Sequence, residues 1–187
     1  MFGPATGAIC TIGHSTRTFA EFLSLLEGHR IQLLVDVRHF PTSTRAPWAT
    51  AAFLGRELLA HGVGYEHLVD LGGYRKPRPD SRNTGWESAG FRGYADHMAS
   101  PEFAAALDRL LLSATERRAA IMCAEAVPWK CHRSLLSDAL LARGARVTHI
   151  LGPHATQPHR LTKFAKVREG RVSYPSAVGK VFKAPSR

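Results

Sequence analysis

The densest run of reactive side chains in the sequence lies at residues 123–133, which read C-A-E-A-V-P-W-K-C-H-R. Cys123 supplies a thiol, Glu125 and His132 are groups able to give or take a proton, and Cys131 is a second thiol eight residues on. A thiol facing a helix start and several arginines gains thiolate character and becomes a nucleophile. Glu125 and His132 suit general acid/base work, with Asp36 a third candidate. Arg133, Arg38 and Arg75 are placed to clamp a phosphate or carboxylate, helped by the unpaired N–H groups of a helix first turn.

Each residue also has a purely architectural reading. Cys123 is equally a buried core thiol, and the three arginines equally form salt bridges to Glu125, Asp36 or Asp70. A cysteine-phosphatase loop needs Arg six residues after the Cys, and position 129 is Trp. Cys123, Cys131, His132 and His14 form a possible metal set without a zinc-finger or zinc-ribbon spacing. On a helix beginning at Lys130, the adjacent Cys131 and His132 point about 100° apart. No metal or other cofactor is therefore predicted. Trp129, Trp86 and Tyr74 either stack on a base or plug the edge of the core.

These groups need elements to position them. Residues 8–12 form a short apolar run that breaks into Gly13-His14-Ser15, followed by a helix with a Thr18/Glu21 capping box and an apolar stripe at Phe19, Phe22, Leu23 and Leu26. Residues 32–37 read as a buried strand ending in Asp36 and Arg38, residues 39–48 as a loop, and residues 50–60 as a helix closed by Gly62. Residues 63–68 suit a third strand. The aperiodic stretch 70–90 is long for a connection inside a domain, which marks it as functional or disordered, and Tyr74 and Trp86 favour order. A helix at 91–98 and another opened by Ser100-Pro101 precede a strand at 119–122, a helix at 130–143 and a strand at 146–151.

Strands alternating with helices imply an α/β fold of three layers with a mainly parallel five-stranded sheet, Rossmann/flavodoxin-like, and right-handed crossovers. In a 3-2-1-4-5 order the first and fourth strands meet where the winding reverses, and ligands bind there. His14, Ser15, Asp36, Arg38, Cys123 and Glu125 are thus expected around one crevice.

The length suits one domain at 1–151 with an extension at 152–187 that packs on it or is partly disordered. The net charge is +10, and the isoelectric point of about 10.2 favours an anionic partner such as a nucleotide or nucleic acid. From residue 152 onward eight Lys or Arg face one acid, Glu169, so this segment carries +7 of the +10. Neither a membrane span nor a secretory leader is visible, and three cysteines argue for reduced thiols, so a cytoplasmic protein is expected. Oligomeric state is not readable.

The motifs Thr11-Ile12-Gly13-His14-Ser15, Asp36-Val37-Arg38, Leu71-Gly72-Gly73, Cys123-Ala124-Glu125 and Cys131-His132-Arg133 resemble those of the bacterial proteins grouped as domain-of-unknown-function family 488. The resemblance spans residues 8–150 and implies a fold and a site position, with no reaction attached; Cys10 lies outside the motifs. The leading expectation is an enzyme, a hydrolase or transferase directed at a nucleotide, nucleic acid or other phosphorylated substrate. His14, Asp36, Cys123, Glu125 and His132 would stand at the reacting centre, with Ser15, Arg38, Arg75, Trp129, Cys131 and Arg133 around the anion. The alternatives are a non-catalytic nucleic-acid-binding module and a redox-responsive domain using Cys123 and Cys131.

Overall fold

In the computed structural model, which describes residues 7–176, the first strand β1 (Ala8–Gly13) runs between two parallel neighbours far away in sequence. The remaining elements are α1 (Phe19–Gly28), β2 (Leu33–Asp36), α2 (Ala51–Ala60), β3 (Gly64–His67), α3 (Ala89–His97), α4 (Pro101–Glu116), β4 (Ala119–Cys123), α5 (Arg133–Ala142), β5 (Arg146–Ile150), β6 (Thr156–Pro158), β7 (Lys166–Arg168) and β8 (Arg171–Ser173). The central sheet has six strands in the order β3-β2-β4-β1-β5-β6. All its pairings are parallel except β5 with β6, and β7–β8 form a separate antiparallel ribbon.

The α/β class and the mainly parallel sheet agree with the sequence reading, but the strand order does not. β4 inserts between β2 and β1, so the order is not 3-2-1-4-5, and β6 adds an antiparallel edge that makes six strands instead of five. Residues 156–158 are exposed and carry no apolar alternation, which is why sequence periodicity misses them.

Strand alternation decides which helices cover which face. Ile9 of β1, Leu33 and Val35 of β2 and Ile121 and Cys123 of β4 join one apolar cluster with α3, α4 and α5. Cys10 and Ile12, Leu34, and Ala120 and Met122 from the same strands join the other, with α1 and α2. The moves from β1 to β2 to β3 run one way along the sheet and those from β3 to β4 to β5 run back. Right-handed crossovers therefore put the two helix sets on opposite faces.

This topology makes the site. β1 and β2 hand the chain toward the α1/α2 face while β4, lying between them, hands it toward α5. The chain diverges at the carboxyl ends of three adjacent strands, where a crevice opens. The aperiodic stretch after β3 is ordered beside it. Asp96 accepts from the Arg78 N–H (2.9 Å), Ser81 Oγ (2.7 Å) and Asn83 Nδ2 (2.8 Å), and the Trp86 ring packs on Phe91, Phe164 and Tyr174.

Residues 152–176 are joined to the domain by more than β6. Tyr174 is fully buried; its hydroxyl donates to Asp138 Oδ2 (2.8 Å) and its N–H to Asn83 Oδ1 (2.9 Å). Lys180, Lys183 and Arg187 of the basic extension, and the start of the chain before residue 7, lie outside the described residues.

Candidate functional site

Local sequence explains the turn after β4. Val127-Pro128 cannot continue a strand ladder, and Pro128–Lys130 closes a single 3-10 turn. Cys131 is extended (φ −143°, ψ 154°), His132 is the cap, and α5 starts at Arg133. The expected helix start at Lys130 is thus three residues early, and Cys131 and His132 are not set about 100° apart on a helix. Instead the ligand-type atoms of Cys123, Cys131 and His132 lie within 4.8 Å of one another.

The two sulfurs are 2.8 Å apart, and neither is in a disulfide. His132 Nδ1 stands 3.6 Å from Cys131 Sγ, while Nε2 is 2.9 Å from the Val37 carbonyl and must carry the proton donated there. The Nδ1 lone pair is thereby turned toward the thiols. The Arg133 N–H donates to Cys131 Sγ at 3.5 Å.

Burial opposes the Cys131 thiolate, but the hydrogen bond from Cys123, the Arg133 charge and the Arg133 N–H outweigh it and lower its pKa to about 7. The hydrogen bond to Cys131 and then burial push Cys123 well up. Above about pH 7 the pair therefore holds one proton and one negative charge, with Cys131 as the thiolate. Burial keeps His132 neutral by lowering its pKa. The arrangement offers a nucleophile, a dithiol couple and a set of soft ligands.

Arg133 is 1 % exposed. Its guanidinium donates to the carbonyls of Glu125 and Ala126 and, at 3.4 Å, to Thr11 Oγ1, and Nε has no partner among the described residues. It joins the backbone of Glu125, not its carboxylate. Gly13 is required opposite this turn: a Cβ there would collide with the Glu125 carbonyl and come within 3.0 Å of Arg133 Nη2.

On the other face of the sheet, Asp36 and Arg38 form a salt bridge, the architectural reading of that pair. Arg38 Nε donates to Oδ1 at 2.9 Å and Nη2 to Oδ2 at 2.5 Å. Tyr65 O–H adds a bond to Oδ2 at 2.8 Å, and burial followed by the Asp36 charge raises its pKa. Arg38 Nη1 bonds the Ala49 carbonyl (2.8 Å) and reaches His14 Nε2 (3.4 Å). His14 is buried against Trp48, and burial lowers its pKa. With Nε2 accepting from Arg38, its Nδ1–H donates to the Ser15 carbonyl at 3.0 Å.

A cleft of about 800 Å³ opens at these strand ends. Arg38, Cys123, Glu125, Cys131 and His132 line it. His14 and Asp36 lie behind Arg38, while Ser15, Arg75, Trp129 and Arg133 are not among the lining groups. Arg75 is turned to the Gly72 and Val69 carbonyls (3.2 and 3.3 Å), and Trp129 is half exposed. The wall includes residues the sequence reading did not single out: Phe40 and Arg45 from the loop after β2, Lys130, and Phe91 with Tyr94 from α3. No periodic pattern marks the loop residues among them.

A second network also escaped the sequence reading. Thr11 Oγ1 meets His149 Nδ1 (2.8 Å), His149 Nε2 meets His159 Nδ1 (3.0 Å), and His159 Nε2 meets Asp138 Oδ1 (2.9 Å). Where both imidazoles are neutral, donation to the Asp138 carboxylate sets each tautomer in the row, and the donors run from Arg133 through Thr11 and the two imidazoles to Asp138. Histidines spread over ten positions gave no signal that these two would pair.

The family model described as domain of unknown function DUF488 matches residues 18–140. The chain belongs to that family. No curated protein matches, nor does any solved structure. Among the described residues, no helix is long and apolar enough to cross a membrane.

Proposed function

We propose that the protein is an enzyme acting on a nucleotide, nucleic-acid or other phosphorylated substrate in the cleft above β4, with Cys123, Cys131, His132 and Glu125 around the reacting group. One observation carries this reading. The cleft combines a buried sulfur and imidazole cluster with exposed rings and cations in the same wall: Phe40 (62 % exposed), Tyr74 (87 %), Arg45 and Lys130. Exposed aromatic rings beside unpaired cations fit a ligand with a flat face and a negative group. Arg45 and Lys130 have no ion-pair partner among the described residues, so their charge is free for an anion, whereas Arg38 is committed to Asp36.

Binding of nucleoside mono- and diphosphates and of short single-stranded oligonucleotides tests this reading. Lys130→Ala and Arg45→Ala are expected to weaken affinity about tenfold each, roughly 1.4 kcal/mol, with a smaller salt dependence. For the ligand that binds, Cys131→Ser is expected to abolish turnover while affinity is retained. If no phosphorylated ligand binds, or if binding ignores both cations, the reading is wrong.

A non-catalytic nucleic-acid module is the second reading, favoured by the exposed Lys166, Arg168 and Arg171 on the β7–β8 ribbon. Because Tyr174 anchors this segment in the core, charge reversal at those three positions is a cleaner test than deletion. Loss of oligonucleotide affinity with cleft variants silent would favour the module.

A further inference from the structure

We infer that Cys123, Cys131 and His132 form a site for a borderline-soft divalent transition ion of the zinc class, three-coordinate from the protein and open to the cleft at its fourth position. This rests on the proposal that the cluster is the reacting centre and names what occupies it. Two thiolates and one neutral imidazole match the charge and ligand type that such an ion selects. A protein donor set of three, facing a cleft, is the catalytic pattern, since structural zinc sites are closed by four.

Three features beyond the presence of the ligands support it. His132 donates its Nε2 proton to the Val37 carbonyl at 2.9 Å, the outer contact that fixes the tautomer and orients a metal-binding imidazole. The Arg133 N–H points at Cys131 Sγ (3.5 Å), supporting a thiolate from behind. Gly73 faces the remaining ring atom: a Cβ at that position would come within 3.0 Å of His132 Nδ1. With Cγ and Cε1 nearly as close, at 3.4 and 3.5 Å, that Cβ would sit over the ring face, so the second glycine of Leu71-Gly72-Gly73 lets the backbone pack flat against the imidazole and hold it in this orientation.

The geometry needs one adjustment. With Zn–S bonds of about 2.3 Å in a tetrahedral site, two sulfurs stand roughly 3.8 Å apart. Cys123 and Cys131 share a proton across 2.8 Å, and exchange of that proton for the ion parts them by about 1 Å, within reach of small side-chain rotations. Any proton still held by the two thiols is released to solvent, so binding tightens as pH rises. The fourth position takes water or an oxygen of the cleft ligand, with Glu125 in the same cleft wall.

The test uses the full chain, kept under reductant, stripped with a chelator and titrated with Co²⁺ and then Zn²⁺. One equivalent of Co²⁺ is expected to bind with sulfur-to-cobalt charge-transfer absorption and the intense visible bands of a four-coordinate ion, and Zn²⁺ should displace it. His132→Gln is expected to weaken binding at least tenfold and change the visible bands. Gly73→Ala, outside the ligand set, should also weaken it. Wild-type protein without charge-transfer bands overturns the inference, and that measurement does not depend on any variant folding. So does a His132→Gln protein with unchanged spectrum and affinity. A phosphorylated ligand that binds a cleft unable to take cobalt sinks the metal site and leaves the proposed function standing. Cobalt bound through sulfur in a protein that takes no phosphorylated ligand does the reverse.

Discussion

Asp36 holds Arg38 with both carboxylate oxygens, at 2.9 and 2.5 Å, and the two residues are 0 and 5 % exposed. Burying two charges is costly, and their attraction offsets that cost only while both are present. Asp36→Asn removes one and strands the other beside Tyr65 O–H and His14. The expected loss is about 3–5 kcal/mol, read as a lower urea midpoint. Asp36→Asn combined with Arg38→Met should recover part of it, because no unpaired charge remains. A single variant within 1 kcal/mol of wild type would show that Arg38 is solvated from the cleft and does not depend on Asp36.

Gly13 carries a comparable constraint at the neighbouring strand end. Its missing side chain is the space taken by the Glu125 carbonyl, which accepts a hydrogen bond from Arg133. Gly13→Ala overpacks against the Glu125 backbone, which cannot rotate away, and is expected to cost about 1–3 kcal/mol. At about 2–4 °C per kcal/mol for a chain of this size, calorimetry should show a clear fall in Tm. An unchanged Tm would mean that the turn after β4 moves freely.

The contrast between these residues and others shows what the sequence can carry. Strand ends were legible because apolar runs stop abruptly at His14, Asp36 and Cys123, and the Thr18/Glu21 capping box appears as read. Strand order was not, because nothing in the local pattern of residues 119–123 says whether β4 lies between β1 and β5 or between β1 and β2. The pairing of Cys131 with His132 was misjudged for a local reason: Pro128 opens a separate 3-10 turn that closes at Lys130 before α5 starts, and an extended Cys131 replaces the helical one. The Asp138–His159–His149–Thr11 row joins α5, β5, β1 and the residue after β6 by tertiary contact, which no spacing encodes.

Tyr174 tests whether residues 152–176 belong to the cooperative unit. Its hydroxyl donates to Asp138, a buried carboxylate that also accepts from His159 and the Thr162 N–H. A hydrogen bond to a charged group contributes about 1.5–3 kcal/mol. Tyr174→Phe is therefore expected to lower stability by that amount and to make the β7–β8 ribbon a preferred site of limited proteolysis. If the variant unfolds in one transition at the wild-type midpoint, the ribbon is held by other contacts.

The His149–His159 pair should make stability depend on pH in a direction that burial fixes. His149 is 4 % exposed, and burial, followed by the charges of His159 and Arg133, lowers its pKa from 6.5 to about 4. The folded chain therefore holds a neutral imidazole where the unfolded chain takes up a proton. Between about pH 4 and 6.5 the unfolded state binds more protons, so stability falls as pH falls through that window and is flat above it. From pH 7 to pH 5 the loss is about 2 kcal/mol from this group alone. His149→Gln keeps a polar group opposite Thr11 without the titration, so its urea midpoint should change less over the same interval by an equivalent amount. If wild type and variant lose stability in parallel, His149 charges in the folded state, and the donor row from Arg133 to Asp138 runs through a different set of tautomers.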